Sequence, residues 1–260
     1  MKKKVTVGSV LSQIFLVIWL LLCLFPLYWL LCFSLKDTNE ILGGNLIGLP
    51  TQWLFSNYAS AWGTGDTISL FLLNSVIDTA TTLFLTSLFG FMCAYGLLRM
   101  RWKGQKAVMT YIMLGMMIPM HAALYPLTQT LLPLTKTHWA LIIPYTAFNI
   151  PITILILSGF ITNIPFEMEE AACIDGSGIY RTAFTIILPM MIPAIATAAI
   201  FVFLQVWNEL LLATVLSSGK VRTLTVGIQQ MSGQYQTDYG SMGAALVIAT
   251  LPTLVLYMCM

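Results

Sequence analysis

Charged residues are so sparse in this chain that the gaps between them dictate what it folds into. Six uncharged runs, Val5–Leu35, Thr79–Leu98, Ala107–Thr135, Thr137–Phe166, Thr182–Asn208 and Tyr239–Met260, contain 31, 20, 29, 30, 27 and 22 residues. A helix of about 20 apolar residues crosses the roughly 30 Å of hydrocarbon in a bilayer, and each run reaches that length. Only 8% of the 260 residues are charged, against about 25% in soluble domains, and the mean hydropathy is +0.86. A water-exposed fold would leave too much apolar surface uncovered. Apolar residues come in blocks such as Ile14–Leu22, not in the alternation of a transmembrane barrel. The pattern predicts an all-α polytopic membrane protein with six transmembrane helices, at 10–33, 68–98, 107–132, 139–160, 186–213 and 240–259. Their prolines are tolerated where neighbouring helices satisfy the freed backbone groups.

Basic residues at the ends of these spans set the orientation. With the N-terminus inside, Lys2, Lys3, Lys4, Arg99, Arg101, Lys103, Lys106 and Arg181 are cytoplasmic, and Lys36, Lys136, Lys220 and Arg222 are outside. That distribution satisfies the positive-inside rule, so both termini are expected in the cytoplasm of a cell-membrane protein. The apolar run after Lys4 is longer than the core of a signal peptide and lacks a small-residue cleavage site, which predicts an uncleaved first helix. Residues 34–67, with Gly43, Gly44, Pro50 and Gly63, read as an external loop with amphipathic stretches. Cys23, Cys32, Cys93, Cys173 and Cys259 form an odd set without paired spacing, which offers neither disulfides nor a zinc site. All five are expected to be buried apolar groups.

Much chemistry is missing. A net charge of +2 gives no footing for nucleic acid. No phosphate-binding Gly-x-x-x-x-Gly-Lys-Ser/Thr loop, His-Glu-x-x-His or Gly-x-Ser-x-Gly motif is present, so the chain is not expected to hydrolyse ATP or act as an enzyme. His121 and His138 fall at the external ends of the third and fourth spans with no carboxylate near them in sequence, and read as structural. Ion-coupled transport needs ionisable groups deep in the membrane. Asp78 and Glu209 are the candidates, and without basic partners they make a thin case. Either could instead line a polar, water-filled cavity. No cofactor or metal is expected.

The informative stretch is Asn163–Phe184, between the fourth and fifth spans. Pro165 suits a first helical turn, and Glu167, Glu169 and Glu170 complement its N-terminal dipole. Gly176 suits the left-handed position after a helix. A short helix is therefore predicted over Pro165–Asp175, with Ser177 capping a second from Gly178 towards Leu188. Ile164, Met168, Ala171 and Ala172 fall at 3–4 spacing on one stripe, and the small residues admit close approach of another surface. A helix resting on lipid would prefer Lys and Arg, because the cytoplasmic leaflet is anionic. The acidic composition favours a protein partner.

Glu170-Ala171-Ala172, then Gly176, Ile186 and Leu188-Pro189 match at fixed spacing, without a gap, the EAA loop that this segment resembles, that of binding-protein-dependent ABC importer permeases. The wider context is similar to the second permease subunit of maltose and multiple-sugar systems. It comprises Asn74-Ser75, Ala94-Tyr95 ahead of Arg99, Ala140-Leu141-Ile142-Ile143-Pro144-Tyr145, Ile164-Pro165, Ile174-Asp175-Gly176, Trp207-Asn208-Glu209, Gln234-Tyr235 and Ala249-Thr250-Leu251-Pro252. The likeness covers nearly the whole chain and is tightest from residue 68.

The resemblance implies a type I ABC importer permease fold. Residues 1–67 would form an N-terminal helix with its external loop, and residues 68–258 the permease domain, with its coupling loop at 163–189. It implies a second permease subunit, two cytoplasmic ATPase subunits, an extracytoplasmic solute-binding protein and a sugar substrate. Glu170, Ala171, Ala172 and Gly176 would dock on the ATPase, with Glu169 and Asp175 beside them. Family members normally continue past the last span into a Gly-Lys-rich cytoplasmic tail, which would add ATPase contact; this sequence stops at Met260. Asn208 and Glu209 would line the translocation pathway, or else bind neighbouring helices as membrane polar groups commonly do. Gln229, Gln230 and Tyr235, in an external 217–239 loop, would face the binding protein. The alternatives are an ion-coupled secondary transporter using Asp78 and Glu209, and a degenerate, non-transporting permease.

Overall fold

The computed structural model describes residues 7–63, 68–232 and 237–259. Among them all the regular secondary structure is helical, without a strand. The α-helices in chain order are α1 Val7–Ser34, α2 Thr38–Leu42, α3 Ser56–Trp62, α4 Ile68–Leu98, α5 Gln105–Gly115, α6 Leu124–Leu131 and α7 Trp139–Ile161. They continue as α8 Glu167–Ile174, α9 Ile179–Thr182, α10 Leu188–Met190, α11 Ile192–Trp207, α12 Leu211–Leu216, α13 Leu224–Met231 and α14 Tyr239–Cys259. Lys2, Lys3, Lys4, Gln234 and Tyr235 lie outside the described residues.

Four helices, α1, α4, α7 and α14, are long and apolar enough to cross a membrane. Two bent helix pairs bring the number to six if each pair is one span. Here the expected continuous spans need correction. The run 107–132 breaks between Gly115 and Met120, and its halves lie at 86°. Pro119 has an extended backbone there, and a proline both lacks a donor and pushes the residue before it out of the helical region. The run 186–213 follows a π-helical turn at Ala183–Ile187, bends by 73° ahead of α11 and stops at Trp207 before α12. Pro193 in the first turn of α11 cannot donate back to the preceding helix, so Met191 marks the bend.

The chain divides into two compact units, Met1–Ser69 with Gly227–Met260, and Leu70–Val226. In the first, α14 packs on α1 and α3. Two glycines make this possible. A Cβ at Gly240 would collide with the Lys36 carbonyl and the Asn57 amide, and one at Gly243 with Phe33 and the Ser34 backbone. Lys36, fully buried, donates from Nζ to the Asn45 carbonyl at 2.6 Å. Burial pushes the nearby Glu40 carboxyl up, but hydrogen bonds from Thr51 and Asn45 and the Lys36 charge hold it below its usual range. Residues 8–28 of α1 are exposed on every side, which an all-apolar helix tolerates in lipid and not in water.

The second unit has two cores. One joins Phe91, Ala94 and Tyr95 of α4 to Ile154, Leu157 and Ile161 of α7, and to Ala183, Ile187, Met191 and Ala194. The other joins Ala140, Leu141 and Tyr145 of α7 to Val202 and Val206 of α11 and to Leu212, Ala213 and Leu216 of α12. Small residues at the crossings draw backbones together, as membrane helix packing requires. Gly90 of α4 lies against the Thr153 side chain of α7, where no Cβ would fit. Among the described cysteine side chains, which do not include Cys259, the expectation of burial holds for Cys32 alone. Cys93 is half-buried, while Cys23 on α1 and Cys173 on α8 are exposed and free.

Candidate functional site

The acidic segment folds into α8, beginning two residues later than its proline suggested, at Glu167. Its end is a Schellman closure. Gly176 sits at φ +77°, its N–H donates to the Cys173 carbonyl at 3.0 Å, and the Ser177 N–H reaches back to the Ala172 carbonyl at 2.8 Å. Ser177 does not cap the helix that follows. Gly178 takes the cap position without a side-chain hydrogen bond, and the Ser177 hydroxyl accepts from Thr182 Oγ1 at 3.1 Å. The helix expected to run to Leu188 is instead α9, the π-helical turn and α10.

Burial divides the docking candidates into two sets. Glu170, Ala171, Asp175 and Gly176 are exposed. Ala172 is buried, and the Glu169 side chain is only 12% accessible. The expected stripe splits the same way, with Ile164 and Ala172 buried and Met168 and Ala171 exposed. Ile164 precedes α8, so it does not share its helical register. Beside the exposed acidic set stand bare apolar side chains, among them Ile174 at 86% and Tyr180 at 78% accessibility. Exposed large apolar side chains close in sequence to acidic ones have the composition of a contact surface.

Arg99, one residue beyond α4, holds the buried side of this segment. Its Nε lies 3.2 Å from Glu169 Oε1, an ion pair off the line of a hydrogen bond. Its Nη2 donates to the Ile164 carbonyl at 2.6 Å, and its guanidinium stands 5.1 Å from the Phe166 ring centroid. Burial pushes the Glu169 carboxyl above its usual range, and the Arg99 charge pulls it back part of the way. Sequence reasoning missed this pair, because the partners lie on separate elements far apart in the chain.

The opposite end of α4 is also held. The Asn74 amide donates to the carbonyls of Lys220 and Arg222 at 2.7 and 2.8 Å, and the Ser75 hydroxyl accepts from the Leu224 N–H at 2.8 Å. One turn on, Asp78, 1% accessible, meets His138 Nδ1 at 2.8 Å. The sequence offered no partner for Asp78 or for either histidine; the pairing of α4 with α7 supplies one. The 217–239 stretch, expected to be a loop, contains α13, on which Gln229 and Gln230 are exposed. Tyr235 lies outside the described residues.

Glu209 sits between α11 and α12, not within a continuous helix. Its carboxylate accepts from the Leu212 and Ala213 N–H groups at 2.8 and 2.9 Å and from the Tyr145 hydroxyl at 2.7 Å. His121 Nε2 lies 3.5 Å away. A carboxylate taking two backbone N–H donors at a helix start is strongly held, so Glu209 ties α7, α11 and α12 together. It also reaches, with Asn208, Gln205 and His121, a cavity of about 590 Å³ whose other walls are apolar, Phe148 and Ile152 among them.

Residues 86–260 match the family model described as the binding-protein-dependent transport system inner membrane component. The chain is 37% identical over 254 residues to the diacetylchitobiose uptake system permease protein of Streptomyces coelicolor, covering 96% of this chain and 83% of that protein. It is 33% identical to the trehalose transport system permease protein of Mycobacterium tuberculosis, over 89% of this chain and 85% of the relative. Among solved structures, a chain of a bacterial ABC transporter that imports the acidic polysaccharide alginate superposes with a TM-score of 0.83 at 19% identity, covering 97% of this chain and 95% of that one. A chain of an alginate transporter in complex with its alginate pentasaccharide-bound periplasmic protein gives 0.69 at 17% identity, over 96% and 91%. At these identities the structures speak to the fold alone.

Proposed function

From the premise that this chain belongs to the binding-protein-dependent transport system inner membrane components, we propose that it is the permease subunit through which an ATP-driven importer passes a di- or oligosaccharide. It is a multi-pass membrane protein and a transporter component, not an enzyme. ATP hydrolysis belongs to partner subunits. The curated relatives named for diacetylchitobiose and trehalose support a sugar as cargo.

In this reading the chain pairs with a second permease, and an extracytoplasmic binding protein delivers the sugar. Both termini and α8 face the cytoplasm, where each α8-type helix seats in one of two ATPase subunits. Glu170, Ala171, Asp175 and Gly176 meet the ATPase directly. Glu169 and Ala172 fix α8 to its own bundle. ATP binding closes the ATPase pair, the seated helices move with it, and the pore passes from inward-facing to outward-facing, a ligand biasing a bistable assembly. Asn208 and Glu209 line the pathway at the cavity between α7 and the break after α11. The chain needs no cofactor of its own.

The observation that carries the reading is an acidic helix, closed by a left-handed glycine and edged by bare apolar side chains, in a chain of this family. Gly176→Glu tests it, because any L side chain at φ +77° strains the closure by about 1 kcal/mol and this one also crowds the contact. The variant should insert in the membrane at wild-type yield and lose its co-purifying ATPase. Recovery of the ATPase at the unsubstituted level would refute the docking role.

A further inference from the structure

Every expected span but one contains or adjoins a proline: Pro26 in α1, Pro119 and Pro126 in the third, Pro144 and Pro151 in α7, Pro189 and Pro193 in the fifth, and Pro252 in α14. The exception is α4, 31 residues without a proline or a break, and so about 46 Å long at 1.5 Å per residue. It is also the helix held by polar side chains at both ends. At one end Arg99, its side chain 6% accessible, grips three features of the docking segment: the Glu169 carboxylate, the Ile164 carbonyl and the Phe166 ring. At the other, Asn74 and Ser75 grip the backbone of Lys220, Arg222 and Leu224.

We infer that α4 is a rigid lever joining the docking helix to the 219–224 segment on the opposite side of the membrane, with Arg99 its handle at one end and the Asn74–Ser75 pair its handle at the other. The inference rests on the docking reading above and adds the route by which motion leaves α8. Sharp kinks arise at prolines and π-bulges, and α4 is continuous and has no proline, so a displacement at one end is passed to the other. The guanidinium suits the task because its planar fork engages a carboxylate and a carbonyl together, where an ammonium would act as a point charge. Burial of the pair keeps it from being screened by salt. Arg99 is thus a positioning residue: it orients α8 without standing on the exposed docking face. Lys220 is exposed at the far handle and reports on what arrives there.

The experiment uses the whole transporter, purified with its ATPase and placed in lipid nanodiscs, where reagent and nucleotide reach both faces, after this chain's five cysteines are replaced by alanine and Lys220→Cys is introduced. The labelling rate of that thiol by an impermeant maleimide is measured without nucleotide and with ATP plus vanadate. The unsubstituted arrangement should show a nucleotide-dependent change. Arg99→Ala should keep its ATPase and lose about fivefold or more of that change, the lower end of ordinary coupling between sites. Arg99→Lys should fall between the two, because an ammonium keeps the charge but not the planar fork.

Asn74→Ala should reproduce the loss from the far end, and it carries the test should the Arg99 variants fail to fold. A full nucleotide response in Arg99→Ala or Asn74→Ala overturns the lever. Loss of the ATPase itself in Arg99→Ala also overturns it, because Arg99 would then act on docking. Absence of ATPase from the unsubstituted transporter defeats the docking reading, and the lever with it.

Discussion

At Arg99 one guanidinium meets a carboxylate, a carbonyl and an aromatic ring, and its removal would leave Glu169 in a nearly closed site. Such a carboxyl has two escapes, a cation or a proton. Burial already raises its pKa, and a group whose folded pKa is raised contributes stability that is fully present below its unfolded pKa, about 4.3 for Glu, and is lost as the pH rises through the folded value. Arg99→Ala should therefore cost less at pH 4, below the unfolded value, than at pH 7.5, where leaving a buried carboxylate unpaired costs up to about 3 kcal/mol. Thermal melts of the detergent-purified protein at the two pH values check this. An equal loss at both would mean that Arg99 acts through packing alone. The residues that could be read from the sequence were those with local meaning, such as Gly176, whose left-handed conformation follows from its place after a helix. Arg99–Glu169 and Asp78–His138 were not legible, because each partner is supplied by another helix, 60 residues away in the second case, and spacing carries no trace of such a pair.

Helix existence was plain from uncharged length, and helix bending was not. Hydropathy counts apolar residues and does not register that Pro119 takes an extended backbone or that α11 starts afresh after Met191. Both bends lie in runs that remain apolar throughout, so the composition is the same on either side. What decides between a tolerated and a breaking proline is whether a neighbour satisfies the freed carbonyl, and the neighbour is invisible in the chain. Close approach at the element scale rests on glycine. The contact of α14 with α1 and α3 depends on Gly240, above which the Lys36 carbonyl and Asn57 amide leave no room. Gly240→Val should destabilise the first unit by about 1–3 kcal/mol, the ordinary cost of overpacking. The check is limited proteolysis of the 37–63 segment, which should be cut faster in Gly240→Val. Unchanged cleavage would show that the contact yields without cost.

At the scale of the molecule the chain is a multi-pass bundle of a transport family, and its apolar first helix, exposed on every side over residues 8–28, has the surface of a segment made for lipid or for another membrane chain. Fold class followed from charge spacing alone, since few other arrangements bury six uncharged runs. The short acidic helix and its closing glycine followed from local sequence, although that sequence did not reveal that Glu169 and Ala172 turn inward. The account as a whole stands on the side of the membrane that α8 occupies. Cys173 sits exposed on α8, so a variant that keeps Cys173 as its sole cysteine allows a direct measurement with an impermeant maleimide. The account predicts no labelling from outside intact cells and full labelling in inside-out vesicles. Labelling from outside intact cells would place α8 beyond the reach of any cytoplasmic ATPase and contradict it.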